Sequence, residues 1–202
     1  MSSFRPASRT MATHARLAGR SGLPAHRGRG RKNARGTGAN RLSRPRSYET
    51  LDRYNRGCVL SHRAAWQEFL AGPDSYCCIL EDDIYISDDF PKFVKDSAWI
   101  PKNCKLLKIE TIEQPVIISR KTTTCLNRTS AFLYSLDFGT AAYIVSREGA
   151  QILLNETARP RFAIDIIVYS KNGRRKLKPS LLFPALCIQA KRHKAGEGNY
   201  FC

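Results

Sequence analysis

Between Tyr48 and Gln189 the chain switches repeatedly between two hydrophobic periods. In "CVLSHRAAWQEFLAG" (58–72), Val59, His62, Ala65, Trp66, Phe69 and Leu70 recur at three- and four-residue spacing and fall on one stripe of a helix. Gly72-Pro73 ends that helix. "YCCIL" (76–80) is a short unbroken apolar run and predicts a buried strand. Asp88 or Asp89 can cap a helix through "FPKFVKDSAW". "CKLLKIE" (104–110) and "PVIIS" (115–119) predict strands. "FGTAAYIVSREGAQILLN" predicts a strand over 141–145 feeding a helix capped by Ser146, with Glu148 in its first turn. "AIDIIVYSK" fits a helix or a strand, and "ALCIQ" a late strand. Strands alternating with helices predict an α/β sandwich.

The first quarter lacks this texture. Residues 1–47 are rich in Arg, Gly, Ala, Ser and Pro, and only "SRTMATHARLAG" (8–19) suggests a short helix. A segment without a buryable face cannot offset its ordering entropy, so 1–47 is expected to be a disordered basic tail ahead of a domain at 48–202. The charge follows the same division. Of the formal +17, twelve Arg or Lys and no acid lie in residues 1–48, leaving +5 on an ordinary globular composition. A nucleic-acid-binding protein led by this tail is one alternative. Residues 5–47, however, contain no aromatic residue to stack on bases.

Seven cysteines (58, 77, 78, 104, 125, 187 and 202) are scattered through mostly apolar runs without metal-ligand spacing, so they read as buried reduced thiols. The N-terminus has no apolar signal core, and no run approaches a membrane span.

The candidate chemistry begins where the 76–80 strand ends. Glu81, Asp82 and Asp83 follow it directly, in the position where open α/β sheets bind ligands. Adjacent strand-end residues point to opposite sides, so Glu81 and Asp83 can share a face while Asp82 turns away. Two carboxylates on one face suit a hard divalent cation, Mn²⁺ or Mg²⁺, and such a cation bridges a nucleotide pyrophosphate. A solvated strand terminator is the simpler alternative. Asp165, a lone carboxylate in the apolar run "FAIDIIVY", is the first candidate for a general base, and Asp137 is the second.

"GCVLSHRAAWQEFL", "YCCILEDDIYIS", "DFGTAAYIVSREGAQILL" and "IDIIVYS", in that order, resemble the family-25 glycosyltransferases, which include galactosyltransferases of bacterial lipooligosaccharide and relatives that modify collagen. The resemblance covers about residues 54–190. It implies a GT-A-like sandwich, a mixed sheet flanked by helices, that transfers a hexose with inversion and metal dependence. The implied donor is UDP-galactose and the implied acceptor a lipopolysaccharide or lipooligosaccharide core sugar. It also implies a lipid-linked glycan as partner, and a place in the cytoplasm at the inner face of the bacterial inner membrane. By the same resemblance Glu81, Asp82 and Asp83 meet ribose and metal, and Ser61 and His62 lie in a helix lining the donor side. For His62 a packed helix histidine remains the alternative. Gly139 and Thr140 allow close backbone approach near the sugar. "AHRGRGRKNARGTGANRLSRPR" has no counterpart in the family, whose members open with an apolar strand and an Arg-rich helix. The expectation is therefore a member with a truncated or frame-disrupted N-terminus, for which an inactive remnant is the further alternative.

Overall fold

The computed structural model describes residues 4–6, 13–17, 51 and 53–190. Five helices are present among them: α1 (Arg53–Ala71), α2 (Phe90–Val94), α3 (Arg147–Glu156), α4 (Ile164–Tyr169) and α5 (Lys171–Leu177). The strands are β1 (Phe4–Pro6), β2 (Thr13–Leu17), β3 (Tyr76–Leu80), β4 (Ile84–Ser87), β5 (Leu106–Lys108), β6 (Glu110–Thr111), β7 (Ile118–Cys125), β8 (Arg128–Leu133), β9 (Ala142–Ser146), β10 (Ser180–Phe183) and β11 (Cys187–Gln189). Seven strands form a mixed sheet in the order β2-β3-β9-β5-β10-β8-β7, and a smaller sheet runs β1-β4-β11-β6. Within the large sheet only the β5–β10 pair is parallel.

The unbroken apolar runs have a simple cause: the central strands are buried on both faces. Along β3, Cys77 and Ile79 join a core with Val59, Trp66 and Phe69 of α1, while Cys78 joins Phe90, Phe93 and Trp99 on the other side. Along β9, Tyr143 and Val145 face the first core, and Ala142 and Ile144 the second. The mixed sheet is thus packed between a helical layer and a layer built from α2 and the small sheet, as the α/β reading expects. The six cysteines among the described residues are free thiols.

Most of the expected elements form. The helix stripe is buried at Val59, His62, Ala65, Trp66 and Phe69. Ser146 caps α3, its Oγ accepting from the Gly149 N–H at 3.1 Å. A Cβ on Gly149 would stand 2.2 Å from the Lys105 carbonyl oxygen, so the close seating of α3 on the sheet requires glycine there. "AIDIIVYSK" is helical.

Two expectations change. Within the short helix expected over 8–19, Thr13–Leu17 form β2, paired antiparallel with the outer edge of β3, while the rest of that span lies outside the described residues; β1 pairs with β4. Ala15 and Leu17 alternate with His14 and Arg16, a period-two pattern, and β3 offers a ladder of backbone groups for it to complete. The tail expected over 1–47 is interrupted by these strands, and the rest of it lies outside the described residues. The "PVIIS" strand starts late, at Ile118, and runs on as a polar edge strand hairpinned to β8. No helix among the described residues is long and apolar enough to cross a membrane.

Candidate active site

The end of β3, the approach to β9 and the first turn of α4 converge. Residues 134–141 cross from β8 to β9, and at their end the Ala141 carbonyl accepts the Glu81 N–H at 2.8 Å. Gly139, at φ +82°, makes the bend that brings this crossing over the strand ends. Its N–H donates to Asp165 Oδ2 at 3.4 Å, while Oδ1 accepts the Ile166 N–H at 2.7 Å. The result is a pocket of about 170 Å³ whose walls include Tyr54, Glu81, Gly139, Thr140, Asp165 and Gln189. Two larger pockets differ in content. One of about 250 Å³ takes in only Asp137 of the predicted residues, and one of about 350 Å³, beside Arg161 and Phe162, takes in none.

Glu81 is held on both oxygens. Oε1 lies 3.3 Å from His62 Nε2, and Oε2 accepts from Gln189 Nε2 at 3.4 Å. His62 is 2% exposed and stacks on Tyr143, and its Nδ1 lies 2.8 Å from the Tyr143 hydroxyl. That hydroxyl accepts the Trp66 indole N–H at 2.9 Å. Burial holds the Tyr143 phenol well above its usual range, so it keeps its proton. One assignment satisfies the row: Trp66 donates to Tyr143, Tyr143 donates to Nδ1, and the Nε2 proton of His62 goes to Glu81. His62 is therefore a packed histidine whose ring also reaches Glu81.

The other predicted residues are distributed around this centre. Asp82 is exposed on the turn after β3, and Asp83 is half-buried, its carbonyl accepting from Ala190 N–H at 2.7 Å. Glu81 and Asp83 share a neighbourhood, because both raise the pKa of Tyr54, behind the larger effects of Cys58 and burial. Thr140 is buried in the pocket wall. Ser61 lies on the exposed face of α1. Asp137 is 4% exposed and paired at 2.8 Å with Lys108, itself 1% exposed.

Sequence reasoning missed Glu110, Gln189 and Tyr143. Glu110 is 3% exposed, its Oε1 accepts the Ala141 N–H at 2.7 Å, and burial pushes its carboxyl up to about 7 against the opposing pull of Lys108. It follows the strand-forming stretch "CKLLKI" as Glu81 follows "YCCIL", and that shared pattern is the signal that could have found it.

Among the described residues no three His, Cys, Asp or Glu side chains are arranged to hold a metal ion. Glu81 is engaged on both oxygens, so these residues do not form an all-protein cage.

The sequence model of glycosyltransferase family 25 (LPS biosynthesis protein) matches residues 37–168. The chain belongs to glycosyltransferase family 25. The matched span of this family-25 chain holds every predicted site residue from Ser61 to Asp165, and Gln189 lies beyond it. Among its relatives is the lacto-N-neotetraose biosynthesis glycosyltransferase LgtB of Neisseria meningitidis serogroup B, 27% identical over 69% of this chain and 54% of the relative. LgtE of the same organism is 29% identical over 54% of this chain and 41% of its own length. The lipooligosaccharide biosynthesis protein lex-1 of Haemophilus influenzae is 26% identical over 69% and 50% respectively. The family-25 chain spans about half the length of these relatives.

Proposed function

We propose that this chain is a glycosyltransferase of GT-A type that moves a hexose, galactose from UDP-galactose, onto a core sugar of lipooligosaccharide or lipopolysaccharide with inversion. The observation that carries this reading is the meeting of Glu81, Gly139, Thr140 and Asp165 in one pocket. In this reading Asp165 is the base, because Asp137 is already committed to Lys108 in a buried ion pair. The Asp165 carboxylate, steadied by the Gly139 and Ile166 N–H groups, takes the proton of the acceptor hydroxyl as that oxygen bonds the anomeric carbon. The bond to the nucleoside diphosphate breaks on the opposite face. The small pocket receives the reacting sugar rather than the whole nucleotide, and Gly139 lets it approach backbone closely. His62 and Gln189 keep Glu81 fixed at its edge.

Glu81 and Asp83 would hold Mn²⁺ or Mg²⁺, and the ion would stabilise the departing diphosphate as a Lewis acid. A lipid-linked acceptor at the inner face of the membrane fits the exposed Lys171, Arg175 and Lys178 on and after α5, which suit an anionic surface.

Calorimetric titration of UDP and UDP-galactose, with and without Mn²⁺, tests the donor site. Mn²⁺ with UDP is expected to raise the melting temperature of the wild type, and Asp83→Asn to remove most of the gain. Asp165→Asn should keep nucleotide binding and lose about 10²–10⁴-fold in transfer rate. Absence of any response to millimolar Mn²⁺ and UDP would sink the proposal.

A further inference from the structure

Glu110 does not line the pocket that gathers Glu81 and Asp165, yet it grips the segment that joins them. Its carboxyl lies under residues 139–141: Oε1 accepts the Ala141 N–H at 2.7 Å, and a Cβ on Gly139 would stand 3.1 Å from Oε1 and 3.4 Å from Oε2. From that strap two further bonds leave. The Ala141 carbonyl accepts the Glu81 N–H at 2.8 Å, and the Gly139 N–H donates to Asp165 Oδ2 at 3.4 Å. One buried carboxyl is therefore a single bond away from the backbone that sets both pocket acids.

We propose that Glu110 is a positioning residue of the transfer site, pinning the Gly139–Ala141 strap and through it fixing Glu81 and Asp165 relative to each other. The inference rests on the transferase reading for its effect on rate, but not for its effect on the strap.

Three features make this more than an ordinary buried contact. The contact depends on reach, because the acceptor is one oxygen at the end of a two-methylene stem meeting one backbone N–H. It crowds the space above it, where a Cβ at position 139 would also meet Ile112 at 3.1 Å, and this couples Glu110 to the glycine there. And Oε2 is buried with no hydrogen-bond partner among the described residues, a cost that a well-packed apolar residue would avoid. The groups acting on this carboxyl are the Lys108–Asp137 pair, Glu81, Tyr169 and Cys187. With burial dominant over Lys108, Glu110 carries a proton up to about pH 7. The neutral acid can thus serve the strap without setting a second buried negative charge near Glu81, and a neutral amide should do the same.

Two variants in the full-length protein separate reach from charge. Glu110→Gln keeps the stem length and the acceptor oxygen. Glu110→Asp keeps the carboxyl and withdraws it from Ala141. Glu110→Gln is expected to retain the wild-type kcat and donor KM. Glu110→Asp should lose about 100-fold in kcat with little change in KM, the cost of misplacing reacting groups by about 1 Å. Equal losses in both variants, or a loss confined to KM, would overturn the proposal.

Backbone amide exchange without any ligand provides the readout independent of activity. Glu110→Asp should speed exchange at Ala141 and Glu81 about tenfold or more, corresponding to a weakened local bond, while the amides of α3 stay as in the wild type. Glu110→Gln should leave all of them unchanged. If Ala141 and Glu81 exchange in Glu110→Asp as they do in the wild type, or if every amide accelerates together, Glu110 does not set the strap. A wild type that transfers no sugar overturns the transferase reading alone, and exchange then decides for or against the strap.

Discussion

At the scale of single residues, Glu110 links the site to pH. Its carboxyl is raised from 4.5 to about 7, chiefly by burial, so the folded protein holds this proton more tightly than the unfolded chain does. Its contribution to stability is complete below about pH 4.5, declines as pH rises toward about 7, and is absent above. The melting temperature of wild type minus that of Glu110→Gln should therefore fall across this window and level off beyond it. A difference independent of pH would show that Glu110 is ionised when folded. Lys108 makes the converse case. Lys108→Met leaves Asp137 buried without its cation and should cost about 3–5 kcal/mol in urea unfolding, most of it recovered when Asp137→Leu is added. The sequence made the acids at the end of "YCCIL" and the carboxylate in "FAIDIIVY" legible, because a charge in an apolar run is a local anomaly. It did not disclose why His62 is buried, since the group that explains it, Tyr143, lies 81 residues away. Nor could it tell that Asp137 meets Lys108 instead of solvent. Such pairings are decided by register in a sheet, and no window of neighbouring residues contains them.

At the scale of elements, local codes were read well wherever a periodic stripe coincided with a stop or a cap. The α1 stripe with Gly72-Pro73 and the Ser146 cap of α3 are of this kind. Ser146→Ala should cost about 1 kcal/mol, which for a chain of this size lowers the melting temperature by about 2–4 °C. A null result would mean that packing against β9 alone fixes the start of α3. The β7–β8 hairpin was half missed because Arg120 to Thr124 are exposed on an edge strand and carry no apolar alternation. The misread of 8–19 has another origin. A five-residue stretch has weak preferences of its own, and the open side of β3 settles them. From composition alone, deletion of residues 1–47 should leave the thermal transition nearly unchanged. Pairing of Thr13–Leu17 with β3 predicts instead that removing residues 1–19 lowers the melting temperature and speeds amide exchange along Tyr76–Leu80. Unaltered exchange there would return the segment to the status of a tail.

At the scale of the whole molecule, the excess charge and the candidate pocket occupy different parts of the chain. Twelve basic residues and no acid lie in residues 1–48, whereas the pocket is built from Tyr54 onward. Retention on immobilised DNA should accordingly fall steeply with salt and weaken sharply when residues 20–47, which leave β1 and β2 in place, are removed, while affinity for UDP is unchanged. Loss of both together would tie the basic segment to the donor site. The pocket itself is closed by distant partners: Glu81 is reached by Gln189 from β11, 108 residues further on. That span has a meaning for synthesis. A ribosome that has just finished the acidic triplet, adding about 5–20 residues per second, still has several seconds of chain to make before the residue that steadies Glu81 exists. The β9 edge of the strand that carries the acids is unpaired only until Ala142–Ser146 is made, but a messenger cut short between codons 84 and 188 would yield a chain with the motif intact and without the residue that steadies Glu81.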